Sequence, residues 1–426
     1  MLLVTTAESI ILSLVPSLGL NKSSDQNLYQ PEIVDLLASA GRILAAPVAG
    51  NLDFPHWDNS AMDGYAVHYA DVEHCSPQQP VVLRVVEEIP AGKVPQLAIN
   101  RGETARIYTG AMVPEGADAI VIQETTQKDE EADPLEPRIW VLEAPNCRDF
   151  IRQRGAFYQA GATLLETGIK IGAPEIAILA AVQCTQVPVY PQVKVAIFST
   201  GDELVMPDQT LQPGQIVDSN QYALATLVQQ AGAIPVRMGI IPDQPDLLKA
   251  AIAKAVLEAD IVLSTGGVSV GDYDYIDQLL GELGATIHIQ SVAIKPGKPL
   301  TVATFPGETK SVLYFGIPGN PSSALVSFWR FVHPAIKKMS GLAQGWQPHW
   351  VDAYTLDDLR ADGNRESYLW GQVRIREGQY EFMSVGGSHS SGNLMNLSQT
   401  NALGMVAIDT TLIPAGGLVR VLLTQD

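Results

Sequence analysis

Between Val193 and Met339 the sequence alternates strand-like and helix-like runs, and this alternation constrains the fold more than any other feature. The apolar run "VKVAIF" precedes the amphipathic "SNQYALATLVQQAG", "IPVRMGII" precedes "PDLLKAAIAKAVLEA", and "DIVLS" precedes "YDYIDQLLGELG". Two further strands, "ATIHIQSVAI" and "SVLYFGI", then lead to a last helix, "SSALVSFWRFVHPAI". Consecutive strand and helix units of this kind predict a doubly wound, mostly parallel sheet with helices on both faces. The indole of Trp329 in the last helix is expected in the core.

The flanks read differently. Up to about Gly50 the spacing of "SIILSLVPSLGL" and "EIVDLLASAGRIL" predicts helices with an apolar stripe, and Glu166 to Ala181 predicts another. From Phe54 to about Ala144, short β-type runs ("PVVLRVV", "TARIYTG", "AIVIQE", "RIWVLEA") separated by turn residues predict an all-β insert. After Gly341 the chain returns to short strands with glycine turns, and a small β domain is expected there.

The unusual residues of the α/β region fall at five predicted strand ends. These are Thr200-Gly201-Asp202-Glu203, Pro242-Asp243, Thr265-Gly266-Gly267, Lys295-Pro296-Gly297-Lys298 and Pro318-Gly319-Asn320-Pro321. Any one of them alone is loop punctuation. Together they mark the carboxyl edge of the sheet, where open α/β folds bind ligands. Thr265-Gly266-Gly267 lets backbone amides approach an anion, and Asn320 before Pro321 reads as an N-cap with proline at N1. Lys295 and Lys298 are suited to phosphate. Glu203, Asp243, Asp272 and Asp274 offer oxygen ligands to a hard cation, which in the case of Mg2+ takes one or two carboxylates plus substrate phosphates. The expected ligand is therefore a polyanion accompanied by Mg2+.

A net charge of −19 with no basic block argues against nucleic acid. Three unpaired-looking cysteines (Cys75, Cys147, Cys184) give no disulfide framework or zinc spacing and suit a reducing cytoplasm. No apolar run is long enough for a membrane span, and the apolar start Met1 to Val4 lacks a basic flank.

With these motifs assembled, the chain resembles the molybdopterin molybdenumtransferase family (MoeA and the E domain of gephyrin). The match is carried by "DNSAMDGYAV" (Asp58 to Val67), "RIYTGAMVPEGADAIVIQE", "STGDEL", "STGGVSVGDYD", "AIKPGKP" and "IPGNP", in the family's order. The resemblance implies molybdenum cofactor biosynthesis, in which molybdate is inserted into adenylylated molybdopterin with release of AMP and help from Mg2+. It implies a homodimer with active sites shared between subunits, the Asp58 and Thr109 sites acting in trans. Molybdopterin adenylyltransferase and apo-molybdoenzymes are the implied partners. Catalytic roles then fall on Asp58, Thr109, Arg152, Glu203, Asp243, Asp274 and Lys295, with Glu203, Asp243 and Asp274 as metal ligands. Substrate contacts fall on Thr265, Gly266, Gly267, Ser269, Lys298, Pro318, Gly319, Asn320, Pro321, Arg365 and Ser391.

The implied organisation has four domains. Residues 1–53 and 160–190 form a discontinuous, mainly helical linking domain and 54–159 the β-rich insert. Residues 191–341 form the molybdopterin-binding α/β domain and 342–426 a β-barrel-like domain. The sequence departs from the family where "FIRQRGAFYQAG" carries Ala156 and Phe157 in place of a usual acidic pair. Ser291 stands where some members carry lysine, and Trp370 where many carry arginine. The lost acids leave open a second reading, a molybdopterin-binding or scaffold homologue with weakened turnover. A third, an unrelated Mg2+-dependent nucleotide pyrophosphohydrolase, would have no use for the Asp58 signature or the last β domain.

Overall fold

Runs of β-branched and aromatic residues with both faces buried build the central sheet. The structure, a computed structural model, describes residues 1–15, 30–266, 273–307, 311–386 and 390–425, without the side chains of 273–275. The strands are β1 (Lys194–Thr200), β2 (Ile234–Ile241), β3 (Ile261–Thr265), β4 (Thr286–Ser291), β5 (Pro299–Phe305) and β6 (Val312–Ile317). They lie in the order β2-β1-β3-β6-β5-β4. Four are parallel, as the alternation predicts, and β5 then runs antiparallel to both β6 and β4.

The strand period of two sorts the side chains into two cores. On one face Val195, Ile197, Ile261, Leu263, Leu313 and Phe315 are buried with α1 (Val4–Leu14), α2 (Asn220–Gln230) and α5 (Pro321–Ser327). On the other, Ala196, Phe198, Val262 and Tyr314 meet α3 (Pro245–Glu258) and α4 (Tyr273–Glu282). Burial drives the Tyr314 phenol up to about 12, and its hydroxyl bonds to Ser264 at 2.6 Å.

The last predicted helix is broken in two. A π-turn at Phe328–Val332 separates α5 from α6 (His333–Met339). Pro334 supplies the reason: it has no N–H to donate, and its ring crowds the carbonyl of Arg330 one turn earlier. Trp329 is buried there, as expected.

A second departure lies in the predicted helix "EIVDLLASAGRIL". Glu32–Asp35 is instead a strand, paired antiparallel with Gln186–Val189, and Leu36–Ser39 is a 3-10 turn. The β-branched Ile33 and Val34 find a strand partner some 150 residues away, and that tertiary pairing overrides the local helical spacing. The helix expected from Glu166 spans only Ala173–Ala181.

The C-terminal strands close on themselves. Glu366–Arg376 pairs with Gln379–Ser384, which pairs with Trp350–Thr355, then Leu418–Leu423, then Ala402–Val406, which returns to Glu366–Arg376. This is a five-stranded barrel. Ile294–Lys295 adds to it as a short parallel strand against Glu366–Ser367.

Chain contacts divide the molecule into two units, Met1–Ala46, Glu166–Ile176 and Thr185–Asp426 in the first, Pro47–Leu165 and Ala177–Cys184 in the second. The second unit holds a six-stranded sheet running through Ala119–Ile122, Gly64–Val67, Glu103–Ile107, Val81–Ile89, Arg138–Val141 and Thr126–Lys128. It has a buried cluster on each face. The β insert read from the sequence is this sheet.

Candidate active site

Because β1, β2, β3 and β6 are parallel, they end at one edge; β4 ends there too and β5 begins there. The loops after these strands therefore converge with the rim of the barrel around a cleft of about 1190 Å³. Its walls include Glu203, Asp243, Thr265, Gly266, Lys295, Lys298, Pro318, Gly319, Asn320, Pro321, Arg365 and Ser391. The predicted Gly267 and Ser269 lie outside the described residues. Asp274 falls in the first turn of α4, and its side chain is likewise outside them.

The floor is made by close backbone approach. Gly266 has φ +94°, and a Cβ there would sit 2.2 Å from the Thr200 carbonyl oxygen, so only glycine fits. The Thr265 hydroxyl is spent on the wall: it donates to Pro318 O at 3.2 Å and accepts from Asn220 Nδ2 at 2.9 Å. Asn220 Nδ2 also reaches Gly319 O at 2.6 Å, so this one amide ties two loops together. Asn320 occupies the N-cap position of α5, with Pro321 following, but its side chain does not cap. It turns instead to Ser391, donating from Nδ2 to Oγ at 3.0 Å, while Ser322 N donates to Ser391 O at 3.0 Å.

Two hydroxyls at the end of β1, Ser199 Oγ and Thr200 Oγ1, are buried in this wall without a hydrogen-bond partner among the described residues. The cations are arranged at the barrel rim. Lys295 Nζ donates to Asp362 Oδ2 at 3.0 Å, and Arg365 Nη2 lies 3.5 Å from the same oxygen. The Lys295 hydrogen bond, with the Asn364 amide, holds the Asp362 carboxyl below the usual carboxylate range. Arg360 joins them in the lining, and Lys298 has no ion-pair partner among the described residues.

Two acids, Glu203 and Asp243, line the same cleft from the loops after β1 and β2. The Glu203 carboxylate folds back over Gly201, 2.7 Å from where a Cβ would stand. Asp243 N donates to Asp202 Oδ1 at 3.1 Å. Among the described residues no group of three potential ligands is placed to cage a metal. Two carboxylates in a cleft that also carries cations for an anionic substrate fit a metal ion whose shell is completed by substrate oxygens.

The second unit assembles the other predicted residues by itself. Asn59–Ser60 pairs antiparallel with Ile151–Arg152, placing Arg152 opposite Asn59. Ser60 N donates to Ala111 O, Gly110 N to Ser60 O, and Val113 N to Asp58 O. The segments carrying Asp58, Thr109 and Arg152 are thus backbone neighbours. Asp58 Oδ1 accepts from Arg154 N at 2.7 Å, whereas Thr109 is held by Asp63, whose Oδ1 accepts from both its N and Oγ1 at 2.7 Å. Those two bonds keep the Asp63 carboxyl below its ordinary range.

Comparison with known proteins decides the family. The model described as "MoeA N-terminal region (domain I and II)" matches residues 2–182, "Probable molybdopterin binding domain" matches 196–338, and "MoeA C-terminal region (domain IV)" matches 352–424. A molybdopterin molybdenumtransferase of Nostoc sp. is 55% identical over 414 residues, covering 97% of this chain and 92% of that protein. The chain belongs to the molybdopterin molybdenumtransferase family. The relative of the same name from Bacillus subtilis is 33% identical over 94% of this chain and 91% of its own. A crystal structure of a molybdopterin biosynthesis moeA protein from Pyrococcus horikoshii superposes with a TM-score of 0.80 at 27% identity, covering 99% of this chain and 100% of that one.

Against the family pattern read in the sequence, the three departures have distinct settings. Phe157 is 65% exposed, its ring 6.1 Å from that of Phe54. Ser291 accepts Leu2 N on its carbonyl at 3.0 Å, which fixes the start of the chain. Trp370 is buried, and its indole N–H donates to Ser322 Oγ at 3.0 Å beside the Asn320 loop. Thr200 belongs to the strand end Thr200-Gly201-Asp202-Glu203 read from the sequence, whereas Asn220, Asp362 and Ser199 carry no such signal; Asn220 and Asp362 act through partners far along the chain.

Proposed function

We propose that the chain inserts molybdate into adenylylated molybdopterin with release of AMP, in an Mg2+-dependent step. One observation carries this reading: in a chain of net charge −19, the sheet-edge cleft gathers Lys295, Lys298, Arg360 and Arg365 opposite Glu203 and Asp243. A polyanion needs such cations, and the two acids suit the metal that accompanies it.

The chain's own groups divide the work. The open backbone at Gly266 and Gly319 orients the phosphates. Lys295 exchanges Asp362 for the anion, and Lys298 and Arg365 spread charge over pyrophosphate and molybdate. Glu203 and Asp243, with Asp274, would hold Mg2+, which supplies neutralisation of the charge developing on the leaving phosphate. A carboxylate of this group not engaged by the metal would position the water that cleaves the phosphoanhydride and accept its proton. The Asp58, Thr109 and Arg152 cluster is assigned to a second copy's cleft in a homodimer, as the family resemblance implies. Molybdopterin adenylyltransferase would supply the substrate and apo-molybdoenzymes receive the product. A cytoplasmic setting suits the three free cysteines.

AMP release from adenylylated molybdopterin, measured with and without molybdate, tests the reading. Molybdate-dependent release is expected, and Asp243→Asn should lower it about a hundredfold or more without changing the melting temperature. Mixing inactive Asp58→Asn with inactive Asp243→Asn should partly restore turnover if sites are shared. The exposed Phe157 favours the alternative of a weakened homologue. Tight binding without AMP release, with turnover gained in Phe157→Asp, would establish that one instead.

A further inference from the structure

The turn "ADGNRE" sets a carboxylate among the cleft's cations. Asp362 Oδ1 accepts the Asn364 amide at 3.1 Å, so the chain's own backbone fixes this side chain at the start of the turn. Its other oxygen, Oδ2, accepts from Lys295 Nζ at 3.0 Å and lies 3.5 Å from Arg365 Nη2. The register that pairs Ile294–Lys295 with Glu366–Ser367 brings the lysine beside the turn, although Lys295 and Asp362 stand 67 residues apart. The Lys295 hydrogen bond, ahead of the Asn364 amide, keeps the carboxyl below its usual range, so it is an anion at neutral pH.

Two of the cations that line the cleft are thus paired within the chain, whereas Lys298 has no ion-pair partner among the described residues. The side chains of Lys295 and Asp362 are 47% and 31% exposed, and a pair open to water to this degree is weak enough for a ligand to displace. The cation is the part that moves, since lysine has a flexible stem and the carboxylate is tied to its turn. A competitor inside the same chain lowers apparent affinity by the fraction of time that the cations are engaged with it. It also stands ready to take them back as a bound anion departs.

We propose that Asp362 is an internal competitor of the ligand: its carboxylate contends with phosphate oxygens for Lys295 and Arg365, limits how tightly the cleft holds anions, and so lets the product nucleotide leave. The role in release rests on the reaction proposed above; the competition itself does not. Calorimetric titration of the full-length protein with inorganic pyrophosphate, and separately with AMP, tests it without any turnover. Asp362→Asn keeps an oxygen for the Asn364 amide and should fold. It removes the competing charge and should tighten both anions about tenfold, the combined effect of two exposed pairs each worth a few-fold. Asp409→Asn removes the same charge beside the same turn. Asp409 N donates to Gly363 O at 2.8 Å, its φ of +66° is one that asparagine also adopts, and it pairs with neither Lys295 nor Arg365. That variant should change either affinity by less than about twofold. Weaker or unchanged pyrophosphate binding in Asp362→Asn, equal tightening in Asp409→Asn, or no saturable binding by either protein would overturn the competition. Tightened pyrophosphate with unchanged AMP would overturn the role in release. A wild type that binds both anions but liberates no AMP from adenylylated molybdopterin would fail the proposed reaction and leave the competition standing.

Discussion

Gly266 and the Thr200 carbonyl meet so closely that the residue type at 266 has no alternative. Gly266→Ala must move β3 away from β1 or tilt the Thr200 peptide, on top of the left-handed φ that costs an L-residue about 1–2 kcal/mol. Denaturant unfolding should show a loss of at least that size, and AMP release should fall with it because the cleft floor shifts. The sequence "STGG" announced a tight turn there, but not the atom that requires it, because Thr200 lies on another strand. Asn220 and Asp362 were illegible for the same reason. Their hydrogen bonds reach Thr265, 45 residues on, and Lys295, 67 residues back, and an isolated Asn or Asp in a polar loop carries no mark of such a partner.

At the scale of elements, α1 shows how a short amphipathic segment is anchored. Val4, Ala7 and Ile11 enter the sheet's core, and Glu8 on the adjoining face forms a two-point ion pair with Arg330 of the π-turn, at 2.6 and 2.9 Å. Burial alone would depress the Arg330 guanidinium, but Glu8 and Tyr368 hold it above the usual arginine range. Removing Glu8 leaves that charge buried and unpaired. Glu8→Ala should therefore cost about 3 kcal/mol, the low end for breaking a buried pair because Glu8 is 23% exposed. The double variant Glu8→Leu/Arg330→Met should recover much of the loss, as read by equilibrium unfolding. Helical spacing located α2 to α4, where the apolar stripe is long; for the first helix it pointed to Ser9–Leu20, whereas α1 spans Val4–Leu14 and residues 16–20 lie outside those described. It failed at Glu32–Asp35, a four-residue segment whose β-branched Ile33 and Val34 had a distant strand to pair with.

Across the whole molecule, the α/β sheet and the barrel are chemically one core. Tyr368, Trp370, Leu403 and Leu422 of the barrel are buried in the same cluster as Val195, Ile261 and Phe315 of the sheet. A chain ended at Gly341 should therefore show no cooperative melting transition, and in the full protein the sheet and barrel should melt together in calorimetry. No helix among the described residues is long and apolar enough to cross a membrane. The alternation of strands and helices made the sheet legible, but the shared core was not, since a boundary near 341 reads in sequence as a clean domain border.

The parallel pairing of Ile294–Lys295 with Glu366–Ser367 makes the lysine loop a tenant of both lobes. Exchanging the last eighty or so residues for those of a relative would thus reset the register of Lys295 and Lys298 against the sheet. Ligand preference in such a chimaera would travel with the barrel, even though every cation in that loop is encoded upstream of the splice.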